Sequence, residues 1–349
     1  FDMSEIVQRQ GTVISAALLG AIAGSGALPF AQQCFRDLLS SGGSAAANLA
    51  AFDESCRRAG QGGVDEYVPP EEEPFTLPTA SNALGDRWLP RIADLPVALH
   101  EIAYYSVNRL IDYQDEAYAE EWFSRFLAVI DRDSGSGDCV LAQETGRYLA
   151  LWMAFEDIPR VAQLKVRPDR EAMIRSEVKV ASDQPVAVAE FFHPRIEEVA
   201  ALLPARWGKV LLSSDAARRW LGRLLGPRTL RTDRVGMQIL LRCLAGLRRL
   251  RRSTLGYAHE RQMIDRWYDA VLSTKTQETA VAIAALGGLV KGYGETRHRT
   301  TSRLMQILDY LEQSPESDAG TVASLHIAAM APDSDFQIGD MTQLDPGPA

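Results

Sequence analysis

The chain has 349 residues, 37 basic and 46 acidic side chains and a net charge of −9, and 46% of it is hydrophobic. That balance excludes a disordered chain, and the length predicts two domains, each large enough to bury a core. Cys34, Cys56, Cys139 and Cys243 stand far apart with no CxxC pair, which argues against a disulfide scaffold, a zinc ribbon and an iron–sulfur ligand set, and for reduced thiols in a cytoplasmic protein.

The first apolar stretch, Thr12 to Phe30, is interrupted by Ser15, Gly20, Gly24, Ser25 and Gly26 and has no flanking basic cluster. It predicts a buried helix rather than a membrane span. Asp2, Glu5 and Arg9 replace the basic region of a signal peptide, and the chain opens on Phe1; the expectation is a fragment with an upstream part missing. Helical spacing continues in Phe30–Leu39, with Phe30, Cys34 and Leu38 on one face, and in Ala45–Arg58, with Ala46, Leu49, Phe52 and Cys56 offered for burial. Residues 1–60 are thus small-residue helices that need a sheet or a partner to pack on.

Residues 61–90 change character. Their prolines and the Glu71–Glu73 run make a continuous helix or strand improbable and predict a linker, laid over a surface by Tyr67, Phe75 and Trp88. From 91 to 331 helical periodicity dominates, in Leu95–Val129, Cys139–Phe155, Ile158–Lys165, Asp169–Ser176, Arg195–Leu202, Ser214–Leu225, Gly236–Arg252, Gly256–Leu272, Thr274–Gly292 and Thr300–Gln313. Val178–Phe192 alone reads as β-structure, a short hairpin with VKV and VAVAEFF around SDQP. Residues 332–349 are acidic and rich in Pro and Gly, which predicts a loose tail. The fold class is therefore mainly α, a helical domain with at most one short β-hairpin.

Motifs that would specify chemistry are incomplete. Gly24-Ser25-Gly26 and Gly292-Tyr293-Gly294 resemble phosphate-cradling loops, but the third glycine position is Pro29 in one and Arg297 in the other, and no strand leads into either. His259-Glu260 opens a zinc-protease motif whose second ligand position is Met263. Asp131, Asp133, Gly135 and Asp138 lack the closing acid of a calcium loop, where Ala142 stands, and read better as a solvated turn. No local catalytic triad surrounds the five scattered histidines.

Charge is uneven: 15 basic and 4 acidic residues lie between Arg206 and Arg266, a local +11 against −20 for the rest. In Gly236–Arg252 the predicted buried stripe is Met237, Leu240, Leu244 and Leu247, and Arg248, Arg249, Arg251 and Arg252 crowd the last turn, where cations suit the helix dipole. Pairing with the acidic remainder or with a neighbouring subunit is the first reading of this cluster, an anionic ligand the second and nucleic acid the last. The loop Lys291–Arg299 offers Lys291, Tyr293, Arg297, His298 and Arg299 as candidate contacts to a carboxylate, a phosphate or an acidic neighbour, with turn chemistry between two helices as the plainer alternative. In Arg109–Trp122, Asp112, Asp115, Glu116 and Glu120 make an acidic ridge, read first as solvated or paired with arginine.

Four phrases, RLIDYQDEAYAEEW (Arg109–Trp122), ETGRYLALWMAFEDIPRVAQLK (Glu144–Lys165), FFHPRIEEVAALLP (Phe191–Pro204) and LVKGYGETRHR (Leu289–Arg299), together resemble the long bacterial indolepyruvate oxidoreductase beta subunit. Pro90 to about Gln313 looks like its appended helical extension, and GTVISAALLGAIAGSGALPF like the closing helices of its α/β 2-oxoacid oxidoreductase gamma-type domain. The resemblance implies an accessory subunit of a complex that oxidatively decarboxylates aryl 2-oxoacids. Thiamine diphosphate and iron–sulfur clusters are then expected on a large catalytic partner, with ferredoxin or a similar acceptor taking the electrons, no cofactor in this chain, and no role for nucleic acid or membrane. The contrasting expectation is a free-standing helical scaffold that binds an anionic partner through its Arg-rich region.

Overall fold

Two glycines one helical turn apart let a pair of backbones come together near the start of the chain. The computed structural model describes residues 1–40, 44–62, 74–133, 137–178, 180, 183–192, 195–224, 228–292, 294–331 and 336, and the chain divides into two units, Phe1–Pro74 and Phe75–Ala349. In the first unit α1 (Met3–Gln10) is capped by the Asp2 carboxylate, which accepts from the Ser4 N–H at 2.7 Å, and ends on Gly11 in the left-handed region. Next come α2 (Ile14–Ser25), α3 (Gln32–Leu39) and α4 (Ala45–Gly60). A Cβ at Gly20 would collide with the carbonyl of Phe52, and one at Gly24 with that of Cys56, so α2 and α4 touch backbone to backbone. Ile6, Ala17, Ala51 and Phe52 are buried there.

The predicted face of Phe30, Cys34 and Leu38 is turned outward. On so short a helix one side alone can pack, and Phe35 takes that place, with its ring 6.3 Å from Phe52. Gly24 is a packing residue and Gly26 a left-handed helix cap, which explains these glycines without a phosphate loop.

The second unit begins at Phe75, whose ring lies 5.6 Å from Tyr104 and 5.7 Å from Tyr105. Part of the predicted linker is helical: α5 (Ala83–Ala93) carries Pro90 in its interior and buries Trp88 and Ile92 in the core. Its own sequence disfavours this, and tertiary contacts override it. Arg87 holds Glu116 at 2.7 Å, Arg91 holds Glu120 at 2.7 Å, and the Trp88 indole donates to Glu116 at 3.1 Å. Residues 63–73, with Tyr67 and Glu71–Glu73, lie outside the described residues.

After α5 the order is a 3-10 turn (Val97–Leu99), α6 (His100–Tyr113), α7 (Glu116–Arg132), α8 (Val140–Met153), α9 (Ile158–Lys165), α10 (Pro168–Glu177), β1 (Ala189–Phe192), α11 (Ile196–Leu202), α12 (Ala205–Ser213), α13 (Asp215–Leu224) and β2 (Arg228–Arg231). Then follow α14 (Val235–Gly246), a 3-10 segment (Leu247–Ser253), α15 (Leu255–Ser273), α16 (Gln277–Ala285), a 3-10 turn (Leu286–Leu289), α17 (Gly294–Gln313) and α18 (Ala319–Met330). The mainly α class is as read from the sequence, and what was one predicted helix over Leu95–Val129 is broken at Gln114, where Asp115 caps α7 by accepting from the Tyr118 N–H at 2.8 Å.

The core of this unit is made by helices from its two ends. Trp122 stacks on Phe126 at 4.7 Å and donates its indole N–H to the Gly146 carbonyl, while Trp267 packs on Trp152 at 4.8 Å and donates to the Ile283 carbonyl. Between Phe155 and Tyr257 no described residue belongs to this hydrophobic cluster.

That intervening stretch contains the sheet, and the hairpin expectation is corrected in its partner. Strand β1 pairs antiparallel with β2, Ala189 opposite Arg231 and Phe192 opposite Arg228, instead of with the VKV segment. Val178 is taken up as the cap of α10, the Val180 N–H bonds back to the Arg175 carbonyl, and Pro185 has no N–H for a ladder. Lys179, Ala181 and Ser182 lie outside the described residues, as do 332–335 and 337–349 of the predicted loose tail. Phe336 is buried in the core, with the Arg303 guanidinium 5.8 Å from its ring centre.

Candidate functional site

The Arg-rich cluster faces two ways. Arg251 is 1% exposed. Its Nε and Nη2 lie 2.6 and 2.9 Å from the two carboxylate oxygens of Asp157, and its Nη1 donates to the Tyr113 carbonyl at 2.9 Å and to Gln114 Oε1 at 2.7 Å. The guanidinium carbon sits 3.9 Å from the Tyr113 ring centre, a cation–π contact in a desolvated place. Burial pushes the Tyr113 hydroxyl pKa far up, and the Asp157 charge adds to it. Asp157 also caps α9 through the Arg160 N–H at 2.8 Å. One side chain thus ties α6, α9 and the turn before α15 together.

Arg252 is half exposed, 3.5 Å from Asp115 and 5.3 Å from the Tyr118 ring centre. Arg248 and Arg249 form no ion pair among the described residues. The buried stripe of α14 also differs from its sequence expectation: Leu241 is buried and Leu240 is 49% exposed.

Around Asp157 lie two further nodes. Asp112 receives Arg160 at 2.9 Å and Arg167 at 2.5 Å. Glu190 of β1 receives Arg170 at 2.7 Å and also Lys165, whose own pKa burial pushes down. With Asp115, Glu116 and Glu120 already placed, all four carboxylates of the predicted acidic ridge face arginines. Burial raises the Asp112 pKa, but hydrogen bonds from Arg167 and Arg160 outweigh it and hold this carboxyl below its ordinary value. Its contribution to stability is therefore present above about pH 4 and is lost as pH falls through the depressed folded value. The Asp112→Asn variant is expected to melt below wild type at neutral pH and to converge on it in acid. Thermal melts across that range check this, and a gap independent of pH would disconnect the node from folding.

The predicted loop Lys291–Arg299 turns helical at Gly294, where α17 begins, and in the first turn of that helix Arg297 Nη2 lies 2.9 and 2.7 Å from the two oxygens of Glu260, so this cation is engaged from within. Gly292 and Gly294 are both left-handed, in keeping with turn chemistry. Lys291, His298 and Arg299 are exposed, and Tyr293 lies outside the described residues. The structure does not gather these side chains into one anion site. Tyr113 was read from the sequence only as an inward-facing residue, and it is buried; Asp157, Gln114 and Glu190 were not singled out, and the usable signal was Asp157 directly before Ile-Pro, a helix-start pattern.

Among the described residues no three His, Cys, Asp or Glu side chains group as a metal site, and no helix is long and apolar enough to cross a membrane. The fold and these nodes define a helical protein whose central stretch is fastened by arginine–carboxylate pairs. Residues 99–310 match the family of unknown function DUF6537, and the chain belongs to that family. The match runs from just ahead of α6 into α17, which leaves the first unit and α18 outside it. No curated protein and no solved structure matches the chain.

Proposed function

We propose that this chain is a non-cofactor-bearing part of the beta subunit of an indolepyruvate-type ferredoxin oxidoreductase, working in the cytoplasm. It supports oxidative decarboxylation of an aryl 2-oxoacid on a large partner that carries thiamine diphosphate and iron–sulfur clusters and delivers electrons to ferredoxin or a similar acceptor. The resemblance of the four phrases underlies this reading. The observation that carries it is where their charges go: Asp112, Asp115, Glu116, Glu120, Asp157, Arg160, Lys165 and Arg297 all make ion pairs within the chain. Side chains engaged in this way serve a scaffold, and the chemistry is left to a partner.

The test is purification of the chain alone and together with the polypeptides that accompany it in its native cells. Alone, it is expected to be colourless, free of stoichiometric iron and inactive towards indolepyruvate. The complex is expected to contain iron and thiamine diphosphate and to reduce a viologen dye when indolepyruvate is added. Iron in the isolated chain, or a complex without a 2-oxoacid oxidoreductase partner, would overturn the reading.

A further inference from the structure

Helix α14 is apolar on both sides. Its Met237, Leu241 and Leu244 side is the more buried one, and α9 packs against the helix. On the other side Val235, Ile239 and Arg242, spaced at four and three residues, share one stripe, and Leu240 and Cys243 share the next. Val235 is 76% exposed, Ile239 58%, and Leu250 in the following 3-10 segment 61%. A helix that is apolar all round belongs in an interior, and the described residues cover only one side of it.

The charge of the uncovered side has one sign. From Arg234 to Arg252 there are six arginines and no carboxylate. Arg251 turns inward and the half-exposed Arg252 faces Asp115, whereas Arg234, Arg242, Arg248 and Arg249 make no ion pair among the described residues. Aliphatic side chains interleaved with arginines are the composition of a protein interface. Single-stranded nucleic acid would call for stacking rings, and the exposed stripe of α14 has none. An interfacial membrane helix keeps its cations on the polar face, but Arg242 lies within the Val235–Ile239 stripe. A symmetric contact with a second copy would set the same arginines against each other.

We infer that the outer face of α14 and the 3-10 segment after it is a docking surface for an acidic, partly apolar protein surface, which under the function proposed above belongs to the catalytic partner. The identity of that partner rests on the proposed function; the acidic character of its surface rests on α14 alone.

The experiment places a photo-crosslinking phenylalanine analogue at position 239 of the full chain in its native cells, with the same analogue at the exposed position 327 of α18 as control. Adducts at 239, absent at 327, are expected on a carboxylate-rich peptide of the catalytic subunit. The double variant Arg242→Glu, Arg249→Glu, with wild-type circular dichroism, is expected to bind that subunit at least tenfold more weakly at low salt. Adducts on a carboxylate-rich peptide of some other protein, lost in the charge-reversed variant, uphold the docking surface and remove the functional reading. Adducts on a second copy, on lipid or on nucleic acid, equal adducts at both positions, or no adducts would overturn the inference. So would unchanged affinity of the charge-reversed chain, even where an oxidoreductase partner still co-purifies.

Discussion

Replacing Arg251 by alanine is expected to cost about 3–5 kcal/mol of stability, the range for breaking a buried ion pair from one side. The change removes the cation over the Tyr113 ring and leaves the Tyr113 carbonyl, Gln114 Oε1 and the Asp157 carboxylate without their shared donor. Asp157 keeps its cap on α9, so Asp157→Asn is expected to cost less. Substituting both partners together, Arg251→Met with Asp157→Leu, removes the stranded charge and is expected to recover part of the loss, less the value of the cap. Urea unfolding of the three variants measures each effect. A loss below about 1 kcal/mol for Arg251→Ala would place this arginine with solvated surface pairs and would take away the fastening role assigned to it.

The second large effect is expected in the first unit alone. A valine at Gly24 must put its Cβ where the Cys56 carbonyl is, and backbone cannot step aside as a side-chain end can. Overpacking of a tight contact costs about 1–3 kcal/mol and at times more, and a backbone obstacle puts Gly24→Val at the top of that range. Separation of α2 from α4 would show as lost helical signal with the second unit still folded. Gly26→Asn serves as control, since this cap needs only a residue that tolerates the left-handed region. Equal stability of Gly24→Val and wild type would contradict the close approach of the two helices.

Much of the fold was legible because 3.6-residue periodicity is a local signal: α8, α9, α11, α13 and α16 lie within the segments that the spacing marks out. Helix α5 was not legible, because its own text contains Pro90 and follows a proline-rich stretch; what stabilises it is burial of Trp88 and Ile92 against other helices, with the exposed pairs to Glu116 and Glu120 adding little. The pairing of β1 with β2 spans α11 to α13, and no local pattern encodes so distant a partner. For the candidate site, the acidic ridge could be read as arginine-paired, but which arginine goes inward could not. From Leu247 to Ser253 the chain winds as a 3-10 helix, about 120° per residue instead of 100°, so α-helical spacing carried past α14 does not say which arginine of this run goes inward. Expectations for α14 were off by one residue, Leu241 for Leu240, because an apolar helix offers no polar side to fix its rotation.

All six tryptophans stand in the second unit, and Trp88, Trp122, Trp152 and Trp267 are within its core. Indole emission therefore reports on that unit while the first is dark to it. A single sample excited at the indole band and followed in parallel by circular dichroism resolves the melting of the two units without cutting the chain, and a partner that touches only the first unit leaves the emission spectrum unchanged.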